Sequence, residues 1–276
     1  MADVVAAGVR FHVQRISPPA GAALDRPVVV FLHGLVMDNL ASFYYTLAGP
    51  VAQAGAEVIL YDLRGHGRSQ RPPSGYTVHD AVGDLAALLA ELGVGRPVYL
   101  IGNSYGGVVA LRCALDRPEL VAGLVIIEAH TVGDATGDWT ELMSNTLTVT
   151  ALGLAHDRLA DQLRLLGERK LARSAQLADA LLNGTTLIDD VAATPLLRGP
   201  ELGAVRCPVL AVYGAHSDLA DAGRELAGHL PDCTLHVVGD QAHTVLREAT
   251  PLVRSLVLDW LAEHAGTVRT AVRGSR

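Results

Sequence analysis

Short, continuous apolar runs alternate along the chain with longer segments whose apolar residues recur at helical spacing. The runs are PVVVFLH (27–33), AEVILYDL (56–63), PVYLIGN (97–103), VAGLVIIEA (121–129), CPVLAVYG (207–214) and CTLHVVG (233–239). Because they are unbroken rather than alternating, they predict strands covered on both faces. TVHDAVGDLAALLAELG (77–93) begins at a threonine and stops at a glycine, which predicts a helix. A second helix ends at Arg117, because Pro118 cannot continue it. Residues 221–230 and 252–264 complete the helical series. This order predicts an α/β fold, a mostly parallel sheet flanked by helices. VRFHVQRI (9–16) is expected as an antiparallel edge strand.

The rhythm breaks once. From Thr131 to about Gly203 no strand run occurs, and the stretch is rich in Ala, Leu and Asp. It reads as a helical insertion, 131–203, within a core made of 1–130 and 204–264. The polar end, 265–276, reads as a flexible tail. Half of the 276 residues are hydrophobic and 18% are charged, ample for a globular core. The formal net charge is −7 and no dense Lys/Arg cluster occurs, so no nucleic-acid partner is expected. No apolar run approaches the roughly 18 residues that span a bilayer, and no secretory leader is visible. Three scattered cysteines, Cys113, Cys207 and Cys233, suit reduced thiols in a cytoplasm better than a disulfide framework. Metal and nucleotide motifs are absent, so no cofactor and no metal are expected.

The chemistry concentrates at YLIGNSYGGVVAL (99–111), where a strand run meets a helical one. Gly102-Asn103-Ser104-Tyr105-Gly106 is G-x-S-x-G in the strand–turn–helix setting that makes the motif meaningful. A turn this sharp lifts the serine hydroxyl above the sheet edge. Larger residues at the two glycines would collide with neighbouring backbone. The N–H of Tyr105 then lies at a helix N-terminus, where it can hold an oxyanion. A serine needs a base at neutral pH. In this motif's fold the chain order is Ser, then Asp or Glu, then His. His243 lies in the loop after the last strand run and stands apart from the other histidines as the base. Asp218, after the run ending at Gly214, is favoured as the carboxylate that orients it. Glu128, at the end of the run before the insertion, is the rival. The Leu35 N–H, in the loop after the first long run, is the second oxyanion candidate. His33 is expected to brace that loop and to border the substrate, and Met37, Asp38 and Asn39 to start a helix lining the pocket.

Taken together, His33-Gly34, YDLRGHGRS (61–69), the Ser104 elbow, Asp218 and His243 resemble the α/β-hydrolase superfamily over nearly the whole chain, from about Pro27 to His264. The resemblance implies an eight-stranded sheet and a helical cap formed by 131–203, which in the family sets substrate choice. It assigns Arg64, Gly65, His66 and Gly67 a structural role behind the site. It implies a serine hydrolase acting on an ester, thioester or lactone of a small apolar molecule through an acyl-enzyme. The local GNSYGG is also similar to the elbow of carbon–carbon bond hydrolases, and a non-hydrolytic biosynthetic step on the same fold is a further alternative. His130 and Trp139 are candidate pocket walls in the insertion, and Met143 is expected to pack on one helix face with Trp139. The expected partner is a small molecule, with no membrane association, and the protein is expected as a monomer or homodimer.

Overall fold

Eight strands form one sheet in the order β1-β2-β4-β3-β5-β6-β7-β8. They are β1 (Ala2–Ala6), β2 (Val9–Ile16), β3 (Val28–Leu32), β4 (Glu57–Tyr61), β5 (Val98–Asn103), β6 (Val121–Ile127), β7 (Val209–Gly214) and β8 (Cys233–Val238). This computed structural model describes residues 2–20, 26–130, 147–148, 151–152, 163, 165, 167–195 and 197–265. β3 to β8 pair with one another in parallel, and β2 is antiparallel to both of its neighbours, β1 and β4. Every residue of β3, β4 and β7 is buried, as their unbroken apolar sequences require.

The expected edge strand at 9–16 is corrected. It pairs with β4 on one side and with β1 on the other, so β1 is the true edge. A two-residue turn at Ala7 and Gly8, both with positive φ, joins the pair. That is the primed turn geometry that tight hairpins favour.

Two apolar layers cover the sheet. One contains α3 (Val78–Glu91), α4 (Tyr105–Asp116) and α8 (Ala220–His229). The other contains a helical stretch running through α1 (Ala41–Phe43), a π turn (Tyr44–Ala48) and α2 (Gly49–Gln53), together with α10 (Thr250–His264). Thr77 caps α3. Its hydroxyl accepts from the Asp80 N–H at 3.1 Å, and the Asp80 carboxylate accepts from the Thr77 N–H at 3.0 Å. Between β6 and β7 the described regular elements are helical: α5 (Arg169–Leu182), α6 (Leu187–Ala192) and α7 (Gly199–Leu202). A short α9 (Val245–Glu248) precedes α10. Met37 to Asn39 lie in the loop before α1, not in a helix as expected. The helix after Ser104 begins at once, at Tyr105.

Strand order reverses between β3 and β5, where β3 leads outward to β4 and β5 leads the other way to β6. Such a switch point opens a crevice at the strands' C-terminal ends. Leu32 pairs with Gly102, so the loops leaving β3 and β5 emerge side by side. Their approach is as close as backbone allows: a Cβ on Gly106 would lie 1.9 Å from the Leu32 carbonyl oxygen. Gly106→Ala is therefore expected to destabilise the protein by about 3 kcal/mol or more through overpacking that rigid backbone cannot relieve. Gly83→Ala, within α3 and with open space around its Cβ, is expected to stabilise by about 0.5–1 kcal/mol. Urea unfolding of the two variants checks both signs.

Candidate active site

Ser104 sits at φ 52° and ψ −121°, a conformation that costs a non-glycine residue about 1–3 kcal/mol. The surroundings hold it there. Its N–H donates to the Ile127 carbonyl of β6 at 2.8 Å, and its carbonyl accepts from the Gly107 N–H at 2.9 Å. A Cβ on Gly102 would strike the Gly106 carbonyl at 2.3 Å, so the turn closes only with glycine at both flanks. The residue thus stands at the end of β5, at the first turn of α4.

The loop leaving β3 lies against it. A Cβ on Gly34 would be 3.5 Å from the Ser104 Cβ. Two buried histidines shape this loop. His33 Nδ1 lies 2.7 Å from the Gly34 carbonyl, and its Nε2 accepts from the Leu63 N–H at 2.9 Å. His66 Nδ1 lies 2.8 Å from the Arg64 carbonyl, and its Nε2 accepts from the Val36 N–H at 3.0 Å. These bonds tie residues 33–36 to the 62–69 loop. Burial, and then the neighbouring His33, pull the His66 pKa down to about 3, so its ring is a neutral acceptor. His33 is fully buried with both nitrogens engaged to backbone. It braces the loop, and the expectation that it borders the substrate is corrected.

With Val36 spent on His66 and the Gly34 N–H on Asp38 Oδ2 at 2.8 Å, the Leu35 N–H is left without an acceptor among the described residues. The Tyr105 N–H, at the first position of α4, likewise has none. Among the described residues, neither N–H therefore has an acceptor; one lies on the loop leaving β3 and the other at the first position of α4.

Across the sheet, Glu128 follows β6 directly and is fully buried, with φ at 50°. Its carboxylate has three donors. Oε1 accepts from the Gly214 N–H; Oε2 accepts from the Ser217 hydroxyl at 2.5 Å and faces His243 Nδ1 at 3.1 Å. A carboxylate at Nδ1 fixes the tautomer with the proton on that nitrogen and leaves Nε2 as an acceptor. Asp218 is exposed and does not hold the imidazole; its nearest hydrogen-bonding contact is the Ser217 hydroxyl at 3.5 Å. The preference for Asp218 over Glu128 is corrected. The loop after β7 turns Ser217, not Asp218, toward the buried carboxylate, and leaves Asp218 in solvent. Ser217 itself was not foreseen, and only its place beside the expected acid marked it.

Of the expected pocket residues, Met37 is half-exposed and His130 partly buried. Trp139 and Met143 lie outside the described residues. An apolar cluster of Tyr76, Leu181, Leu182, Leu187 and Val191 packs against Leu35, Val36 and Tyr105. α5 and α6 therefore cover the loop leaving β3 with an apolar face. No described helix is long and apolar enough to cross a membrane.

A mostly parallel sheet with a strained serine elbow at its switch point and a histidine–carboxylate pair define a class, and comparison with known proteins agrees. Residues 27–187 match the α/β hydrolase fold family, and the chain belongs to it. RutD of Variovorax paradoxus strain S110, provisionally named a carbamate hydrolase, is 31% identical over 86% of this chain and 92% of its own. The mouse sn-1-specific diacylglycerol lipase ABHD11 is 37% identical over 40% of this chain. The chain spans only about a third of the length of that lipase and of an epoxide hydrolase that it also matches. Among solved structures, the enol-lactonase of Burkholderia xenovorans LB400 superimposes with a TM-score of 0.73 at 20% identity, covering 95% of this chain and all of the other. The relatives described above all carry hydrolase, lipase or lactonase names.

The hydrogen bond to Glu128, ahead of the opposing effect of burial, raises the His243 pKa above 6.5; the charges of Glu128 and Asp218 add to the rise. Glu128→Gln is expected to lower the His243 pKa, and Asp218→Asn to lower it less, because Asp218 acts through charge alone. Titration of the His243 ring by NMR in the two variants tests this order.

Proposed function

We propose that this enzyme is a serine hydrolase that cleaves an ester, thioester or lactone of a small, largely apolar molecule through an acyl-enzyme. The observation that carries the reading is Ser104 in its strained elbow, one strand away from the buried Glu128 and its partner His243. Ser104 Oγ attacks the carbonyl carbon and His243 Nε2 takes the hydroxyl proton. The Leu35 and Tyr105 N–H groups hold the oxyanion as it forms. The bond to the leaving oxygen or sulfur then breaks, and that atom receives the proton from His243. Water, deprotonated by the same nitrogen, releases the acid and restores Ser104. Glu128 keeps Nδ1 protonated and stabilises the imidazolium, while Ser217 and Gly214 hold Glu128 in place. The apolar face that Leu187 and Val191 turn toward Leu35 supports an apolar substrate and a capping role for 131–203. The names of the relatives, a lactonase and a lipase among them, agree with this reaction class.

Hydrolysis of 4-nitrophenyl acyl esters is expected for the wild type, with turnover lower by several orders of magnitude in Ser104→Ala. Equal activity in both would remove Ser104 from the mechanism. Because the base works as neutral imidazole, the rate is expected to rise with pH through the raised His243 pKa, above 6.5. Glu128→Gln is expected to move that limb to lower pH while reducing kcat by orders of magnitude.

A further inference from the structure

Ser217, in the loop between β7 and α8, is more than a tether for Glu128. Its side-chain oxygen accepts from the Leu219 N–H at 3.1 Å, and its single proton goes to Glu128 Oε2 at 2.5 Å. Asp218 Oδ1 is 3.5 Å away, too far to compete for that proton. The backbone on either side is pinned as well. The Ser217 N–H donates to the Gly214 carbonyl at 3.2 Å, and its carbonyl accepts from the Ala220 N–H at 3.1 Å. The hydroxyl is therefore fixed as a donor, and its acceptor is the same carboxylate oxygen that faces His243 Nδ1 at 3.1 Å.

Two donors on one oxygen act against each other. The hydroxyl stabilises Glu128 most when the imidazole is neutral and the carboxylate charge is otherwise unmatched. It stabilises Glu128 less once an imidazolium neutralises that charge. Glu128 thus favours the proton on His243, while Ser217 opposes it. Burial makes the balance count, because Glu128 is fully enclosed and solvent does not screen it. Among the described residues, the other charge facing His243 is Asp218, from the same loop as Ser217 and exposed. Asp240, in the loop that carries His243, is also exposed and pairs with His216 at 3.6 Å.

We propose that Ser217 is a positioning residue that, besides holding Glu128, weakens its grip on protonated His243 and so keeps the base available near neutral pH. The proposal deepens the serine-hydrolase reading, but its first test needs no activity. NMR titration of the His243 ring is compared in wild type, in Ser217→Ala and in Ser217→Cys, whose thiol is only a weak donor. In both variants the His243 pKa is expected to rise by about half a pH unit, opposite in direction to Glu128→Gln. Ser217→Thr, which keeps a hydroxyl, is expected to titrate with the wild type. An unchanged or lowered value in Ser217→Ala or Ser217→Cys, folded by circular dichroism, would overturn the proposal. An equal rise in Ser217→Thr would also overturn it, because shape rather than the hydroxyl would then set the effect. In ester hydrolysis, the limb that rises as the imidazole loses its proton is expected to move up with the pKa. Ser217→Ala then has kcat/KM about threefold below wild type on the limb and recovers toward it at higher pH. A loss of the same size at every pH would mean only that Glu128 has come loose, and would overturn the proposal. If folded wild type cleaves no ester, the serine-hydrolase reading fails, and the titration still decides the role of Ser217.

Discussion

The site depends on one backbone constraint, the positive φ of Ser104 between β5 and α4. The serine side chain makes no capping hydrogen bond to α4 that would enforce it. It is enforced by crowding: Gly102 against Gly106, and Gly106 against the Leu32 carbonyl. The same crowding draws the end of β3 to the first turn of α4. The nucleophile's geometry and the placing of the Leu35 and Tyr105 N–H groups are thus consequences of one close approach, at a point where the sheet order reverses.

The second half of the site is electrostatic. Burying a lone carboxylate is costly unless donors surround it. Glu128 meets that condition with a backbone N–H, a hydroxyl and an imidazole. Gly214 ends β7, Ser217 lies in the loop after it and His243 in the loop after β8, so the carboxylate fastens those loops to β6. His66 serves the opposite side in an opposite state. It is buried, stays neutral and accepts from the Val36 N–H. Two histidines with pKa values pushed in contrary directions divide the work. In the proposed mechanism one moves a proton, and the other shapes the loop proposed to hold the oxyanion.

Much of this was legible in the sequence because the central strands are unbroken Val/Ile/Leu runs. β3 to β8 fall within the runs they were expected to occupy, trimmed by a residue or two at their ends. β1 was missed because ADVVA is short and its Ala-Gly turn is a weak signal beside Asn-Gly. Ser104 was readable from its glycines, whose spacing has only one steric purpose. The carboxylate was not readable in the same way. Asp218 and Glu128 both follow strands at the right edge, and choosing between them depends on which side chain the loop after β7 turns inward. That is a tertiary outcome, settled by Ser217 reaching Glu128 and by the exposure of Asp218. Tyr61 reads in sequence as one more core aromatic. Only the folded chain shows that its hydroxyl has no hydrogen-bond partner among the described residues.

The central claim is that Ser104 is a nucleophile activated by His243. Its most direct test is covalent: incubation with a fluorophosphonate, followed by peptide mapping by mass spectrometry. The account predicts one phosphonyl group, on the peptide carrying Ser104, formed far more slowly in His243→Ala. Unmodified Ser104 in the folded protein, or labelling at the same rate in His243→Ala, would contradict it.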